Sequence, residues 1–156
     1  MHDLSAIPIQ ELLPHRGAMC LLERALQANA EQLIAEVVIK AGGLFCRNNE
    51  VAAWVGIEYM AQAIAAWAGW QGRQRGESPK VGLLVGTRRY ECAKSGFALG
   101  KLTITVRREF QANNGLGQFD CTIQNEFEPI ARASITVFEP PDAEAFFREL
   151  HAKAEN

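Results

Sequence analysis

VAAWVGIEYMAQAIAAWAGW, residues 51–70, is apolar on every side of a helical projection yet carries one carboxylate, Glu58. A helix that is hydrophobic all round belongs either inside a protein core or inside a membrane. About 20 apolar residues would cross a bilayer. Here, however, Glu58, Tyr59 and Gln62 fall near the centre of the run, and no cluster of Lys and Arg flanks its entry. The segment therefore reads as a core helix over about residues 52–71, with a lone acid on it. A buried carboxylate is costly unless something pairs with it. Desolvation is also how proteins raise a carboxylic acid into the range for proton transfer near neutral pH. Glu58 is the first candidate functional residue.

Outward from this helix the chain reads as strands. Residues 7–13 form a short helical turn that Pro14 stops. Residues 20–28 and 32–39 form a hairpin around Asn29-Ala30, and Leu33, Ala35, Val37 and Ile39 give the second strand one apolar face. Gly42-Gly43 ends it, and residues 44–50 read as a polar loop. After the helix, Gly72, Gly76 and Pro79 make a turn. Four strands follow, at 81–90, 101–110, 116–124 and 130–138, with Asn113-Asn114-Gly115 as a turn between two of them. Pro140-Pro141 stops the last strand, and Asp142 caps a terminal helix that reaches about residue 152. Two strands, a long apolar helix and four more strands define an α+β architecture in which an antiparallel sheet wraps the helix. The whole of 1–156 is expected to be one domain.

Composition narrows the function classes. The formal net charge is −2 and the pI is near 5.9, so nucleic acid is not the expected partner. Cys20, Cys46, Cys92 and Cys121 are far apart, and His2, His15 and His151 complete no zinc pattern. No metal or other cofactor is expected. Reduced thiols in a cytoplasmic protein fit this cysteine usage, and MHDLSAIPIQ has neither the basic start nor the apolar stretch of a secretory signal.

The motifs point further. Leu13-Pro14-His15-Arg16 followed by Leu21-Leu22-Glu23-Arg24 resembles the opening of the hotdog-fold β-hydroxyacyl-acyl carrier protein dehydratases, in which an LPHR run precedes a strand reading roughly LLVDR. Ile57-Glu58-Tyr59-Met60-Ala61-Gln62-Ala63 resembles their E-x-M-A-Q-A helix signature. Within that family the likeness is nearest to the branch associated with aryl polyene biosynthesis, on Leu13 to Gly17, Trp54 to Ala63 and Gly82 to Arg88. In one respect the chain departs from the pattern. The better-known dehydratases carry a catalytic histidine on a GHFPG-type loop before the helix carboxylate. The corresponding place here is Gly43-Leu44-Phe45-Cys46-Arg47, and no histidine stands between His15 and His151.

The resemblance implies dehydration of carrier-bound β-hydroxyacyl thioesters. That reaction removes an α-proton, protonates the departing β-hydroxyl and stabilises charge on the thioester oxygen. Glu58 is expected to protonate the hydroxyl, and His15 is the candidate base. The alternative for His15 is a structural residue bonded to backbone near the first strand, and for Glu58 a satisfied buried carboxylate. Amides at the helix start, at Ala53 and Trp54, would hold the thioester oxygen. Ala53 replaces the family's glycine. Gln62 and Tyr59 would support the site. Trp54, Trp67 and Trp70 are expected in the core or a tunnel wall, and Met19 and Met60 in the core. The cations Arg73, Arg75, Lys80, Arg88, Arg89 and Lys94, chiefly Arg88 and Arg89, would steer an acidic acyl carrier protein, unless they are an ordinary solvated face. A homodimer, or a heterodimer with a second hotdog subunit, is expected, with sites at the interface. Two other readings stand beside the dehydratase. One is a non-catalytic hotdog partner of an active subunit, and the other is an acyl-thioester hydrolase.

Overall fold

The computed structural model describes residues 1–78, 83–140 and 143–155. The turn residue Pro79, the strand start at Val81-Gly82, the stop at Pro141, the cap at Asp142 and the cation Lys80 lie outside the described residues. The strands in chain order are β1 (His2–Asp3), β2 (Arg24–Ala28), β3 (Gln32–Ile39), β4 (Cys46–Arg47) and β5 (Glu50–Ala52). The long helix α1 (Val55–Arg73) follows, then β6 (Leu83–Cys92), β7 (Gly96–Ala98), β8 (Gly100–Gln111), β9 (Leu116–Gln124), β10 (Pro129–Phe138) and the helix α2 (Ala143–Glu155). Seven strands form one antiparallel sheet in the order β1-β2-β3-β8-β9-β10-β6, and β4-β5-β7 form a second, small one. The expected α+β layout is present: α1 touches β2, β3, β6, β8, β9 and β10.

Period-2 alternation builds the inner face of the large sheet. Ala35 sits opposite Ile104, Ile104 opposite Ile123, and Ile123 opposite Ala131, so one apolar row crosses four strands. Those side chains are buried against α1, which presents Val55, Tyr59, Met60, Ala63, Trp67 and Trp70. Burying each large aliphatic or aromatic side chain contributes about 1.5–3 kcal/mol. Trp67 also stands edge-on to Phe119 at 5.4 Å and donates its indole N–H to the Asn29 carbonyl at 3.1 Å.

Several expectations shift. The strand expected from residue 20 begins at Arg24. Residues 17–19 form a 3-10 turn instead, and the Leu21 N–H donates to the Gln62 side chain rather than to a neighbouring strand. The helix begins at Val55, not 52, because Glu50–Ala52 is drawn into β5. The loop expected over 44–50 is itself a hairpin. Cys46 pairs with Val51 across Asn48 (φ 53°) and Asn49 (φ 61°). Two left-handed residues are what a tight two-residue hairpin turn demands, and Asn tolerates them.

The helix is also not buried on every side. Ile57, Glu58, Ala61, Ala65 and Ala68 share a half-exposed face, spaced as one side of a helix requires. Trp67, Trp70 and Met60 are in the core as expected. Trp54 and Met19 are not: they are 63% and 55% exposed. Their local sequence is apolar, but Trp54 stands just before α1 and Met19 ends the 3-10 turn, both on surface left open among the described residues. Among the described residues no helix is long and apolar enough to cross a membrane.

On the buried side, α1 meets the chain preceding β2 at very close range. A Cβ placed on Gly69 would lie 2.0 Å from the Leu12 carbonyl oxygen. Gly69→Ala should therefore destabilise the protein by about 1–3 kcal/mol. This would appear as a lower urea midpoint with an unchanged slope.

Candidate active site

One buried side chain organises the site. Gln62 is fully buried, and all of its carboxamide is used. Its Oε1 accepts from the Leu21 N–H at 2.9 Å, and its Nε2 donates to the Met19 carbonyl at 2.7 Å and to Glu58 Oε1 at 3.0 Å. Glu58 and Gln62 are one helical turn apart, so their side chains meet on one face. The clamp thereby ties the segment after the 3-10 turn to α1 and sets the direction of the acid.

Just upstream, Arg16 folds back onto its own chain, its guanidinium donating to the Leu13 carbonyl at 2.5 Å and the His15 carbonyl at 3.0 Å. The folded segment brings His15 to the same place. His15 Nε2 lies 3.9 Å from Glu58 Oε1. His15 Nδ1 is buried and has no hydrogen-bond partner among the described residues. The two side chains singled out from sequence are thus neighbours, although 43 positions separate them. One part of the expectation is corrected. The Glu58 side chain is 41% exposed in this chain, because it sits on the uncovered side of α1.

The helix opening is held from two sides. The Ala53 N–H donates to the Ser95 carbonyl at 3.0 Å. That amide is therefore engaged and is not free for a thioester oxygen, which corrects the expectation for Ala53. The Trp54 N–H takes no acceptor among the described residues. The Ala53 carbonyl accepts from the Tyr90 hydroxyl. Burial, and after it the nearby Cys92 thiol, pushes the Tyr90 hydroxyl well above the ordinary range, so it stays a donor. Gly56 makes room for this contact: a Cβ there would lie 2.3 Å from the Tyr90 oxygen. Tyr90 follows a bulge at Arg89 (φ 54°) in β6. Nothing in the sequence marks it, since the bulge that aims it inward is visible only once β6 is paired with β10. The one available signal is a polar aromatic inside a strand.

A depression of about 290 Å³ is lined by Tyr59, the residue after the acid, and by Cys46, Cys20, Leu21, Val37 and Leu44 among others; Glu58 and His15 are not among its lining residues. Burial, and then the Cys46 thiol, pushes the Tyr59 hydroxyl up to about 12, so it too remains protonated at any working pH. Next to Leu44, Phe45 (φ 65°) stands edge-on to Trp54 at 5.8 Å. Phe45 stands one residue after the place where the better-known dehydratases carry their histidine. An aromatic residue in the left-handed region is uncommon and marks a segment held by its surroundings.

The five described cations of that set do not form one cluster. Arg73 pairs with Glu11 at 2.8 Å, Arg75 with Glu77 at 3.3 Å and Lys94 with Glu128 at 3.4 Å. Arg88 and Arg89 are exposed and make no ion pair among the described residues. They line a depression of about 460 Å³ with Glu91, Glu109, Asp120 and Arg132. Arg88 is opposite Ser134, whose buried neighbours Ala133 and Ile135 face α1, so Arg88 is on the outer side of the sheet.

An antiparallel sheet wrapped around a central helix defines the hotdog fold. The family model for ApeP-like proteins, described as ApeP dehydratase, matches residues 7–148, and the chain belongs to that family. Among solved structures, the chain is similar to the dehydratase heterocomplex ApeI:P from Xenorhabdus doucetiae, at 25% identity over 92% of this chain and 97% of that one, with a TM-score of 0.84. A sigma28-regulated virulence protein from Campylobacter jejuni shares the fold at 10% identity, over 88% of this chain and 91% of that one, with a TM-score of 0.62. A mutant thioesterase from Pseudomonas aeruginosa shares it at 12% identity, over 76% and 81%, with a TM-score of 0.54. No curated protein sequence matches significantly.

Replacing Gln62 with Ala leaves the Leu21 N–H and the Met19 carbonyl without their partner. The expected cost is about 1–3 kcal/mol. Hydrogen exchange should quicken at Leu21 before it does in the large sheet.

Proposed function

We propose that the chain is a 3-hydroxyacyl-[acyl carrier protein] dehydratase subunit that acts on carrier-bound β-hydroxyacyl thioesters in aryl polyene-type biosynthesis in the cytoplasm. The observation that carries this reading is the placement of His15 Nε2 3.9 Å from Glu58 Oε1, in a chain of the ApeP-like dehydratase family. Elimination of water needs a proton acceptor and a proton donor on one face of the substrate, and these two groups supply both. The Trp54 amide, at the positive end of α1, is the group that would hold the thioester oxygen. The 290 Å³ depression would take the acyl chain, with the Tyr59 hydroxyl at its wall. Gln62 fixes the direction of Glu58.

The same reading includes a second hotdog subunit. β6 ends the large sheet, with no strand beyond it among the described residues. An unpaired edge of this length invites another strand. The Glu58 side of α1 is half-exposed and mostly apolar, and the similar structure is a heterocomplex. A heterodimer, or a homodimer, would cover both surfaces and enclose the acid.

One observation favours the reading in which this chain supports an active partner. Leu44, Phe45 and Cys46 occupy the loop where a catalytic histidine would stand, so a partner's loop could supply one. Purified protein should be assayed on 3-hydroxyacyl and on saturated acyl thioesters, alone and with a second hotdog subunit. Turnover of the hydroxyacyl thioester is expected, and Glu58→Gln should lower it by about 10²–10⁴-fold. Hydrolysis of the saturated thioester instead would identify a thioesterase. Full turnover by Glu58→Gln in the two-subunit complex would identify a supporting role.

Arg88 and Arg89 are proposed to meet the acidic carrier. Reversing both to Glu should weaken carrier binding severalfold at low salt, with the difference shrinking as salt rises. Unchanged binding at low salt would reject that surface.

A further inference from the structure

The hydrogen-bond polarity of the site assigns its two titratable groups to specific roles, given the dehydratase reading above. The Leu21 N–H can only donate, so Gln62 must turn its oxygen toward it; the Met19 carbonyl can only accept, so Gln62 must turn its NH₂ that way. The same NH₂ reaches Glu58 Oε1 at 3.0 Å. Glu58 Oε1 therefore meets a donor. His15 faces the carboxylate from the other side. Its Nδ1 is buried and has no acceptor among the described residues. Nδ1 goes unpartnered in either tautomer, but with the hydrogen there the bare Nε2 would turn its lone pair toward the Glu58 carboxylate, which is unfavourable. The ring hydrogen belongs on Nε2, the atom 3.9 Å from Glu58 Oε1.

We infer that His15 carries its ring hydrogen on Nε2 and acts as a hydrogen-bond donor, and that Glu58 is the proton acceptor of the pair. To act as base through Nε2, His15 would have to begin with its hydrogen on the buried, unpartnered Nδ1. The step balances on the carboxylate alone. Glu58 takes the α-proton, and the C–H electron pair becomes the Cα=Cβ π bond. The Cβ–O bond breaks, and Glu58 returns its proton to the departing hydroxide, which leaves as water. His15 keeps its Nε2 hydrogen throughout and donates it to the departing oxygen. This reverses the roles that the sequence suggests for the two residues.

The test has an arm that needs no activity. Long-range ¹H–¹⁵N correlation spectra of protein labelled in histidine distinguish a bare ring nitrogen from a protonated one. His2→Gln and His151→Gln, both away from the site, leave the His15 signals assigned. A protonated Nε2 and a bare Nδ1 are expected; a proton on Nδ1 overturns the inference. In the second arm, His15→Asn keeps an N–H donor and should lose less than about tenfold in kcat, against a loss of at least about 10²-fold in Glu58→Gln. A loss in His15→Asn as deep as that in Glu58→Gln, with folding intact by circular dichroism, also overturns it. If His15→Asn does not fold, the spectra decide. If the wild-type complex turns over no hydroxyacyl thioester, the dehydratase reading fails and the tautomer still decides the assignment.

Discussion

The Gln62 carboxamide is the contact on which the rest of the site depends. A buried polar side chain with any atom unpaired would destabilise the core, and here every polar atom is paired. Because its three partners are a pure donor, a pure acceptor and a carboxylate, only one orientation satisfies them. The strand that would otherwise begin at residue 20 is released from the sheet so that the Leu21 amide can serve Gln62. The same release lets the preceding segment, tied down by Arg16, set His15 against Glu58. Sheet pairing and site geometry therefore compete for one backbone amide, and the site takes it.

The exposure of Glu58 has an energetic meaning. Charges near water interact at high effective dielectric, and the same contacts strengthen several-fold when water is excluded. In the single chain the acid, the aromatic pair Phe45 and Trp54, and the apolar face of Ile57, Ala61 and Ala65 all meet solvent. Under the two-subunit reading, closing that surface would both stabilise the assembly through apolar burial and sharpen the electrostatics of the His15–Glu58 pair. At the opposite wall, Tyr90 links the edge strand β6 to the carbonyl of Ala53. The edge that would receive a second subunit is thus bonded directly to the opening of α1.

Much of the fold was legible because it rests on short-range periodicity. β3, β8, β9 and β10 alternate cleanly, and α1 is a long apolar run, so their existence follows from the pattern alone. The small sheet was not legible. Its hairpin turns on Asn48-Asn49, which read as loop residues, and it is completed by β7 from the far side of α1. Trp54 and Met19 looked like core for a similar reason: an apolar neighbourhood in sequence does not reveal which side of a helix another element will cover. Ala53 looked like an open amide until Ser95, 42 positions later, was seen to occupy it.

The amino-acid sequence determined the α+β architecture, the family likeness and the identity of the acid on the central helix, because each is carried by residue spacing within one or two turns of chain. Only the tertiary structure decided that His15 stands beside Glu58, that Gln62 orients the acid, that Ala53 is engaged and Tyr90 braces it, and that the acid is half open to water. Apart from the Gln62–Glu58 bond, which spans one helical turn, those are contacts between positions about forty residues apart, or facts about which surface is left bare. They depend on loop closure and strand registration across the whole sheet, which no local pattern encodes.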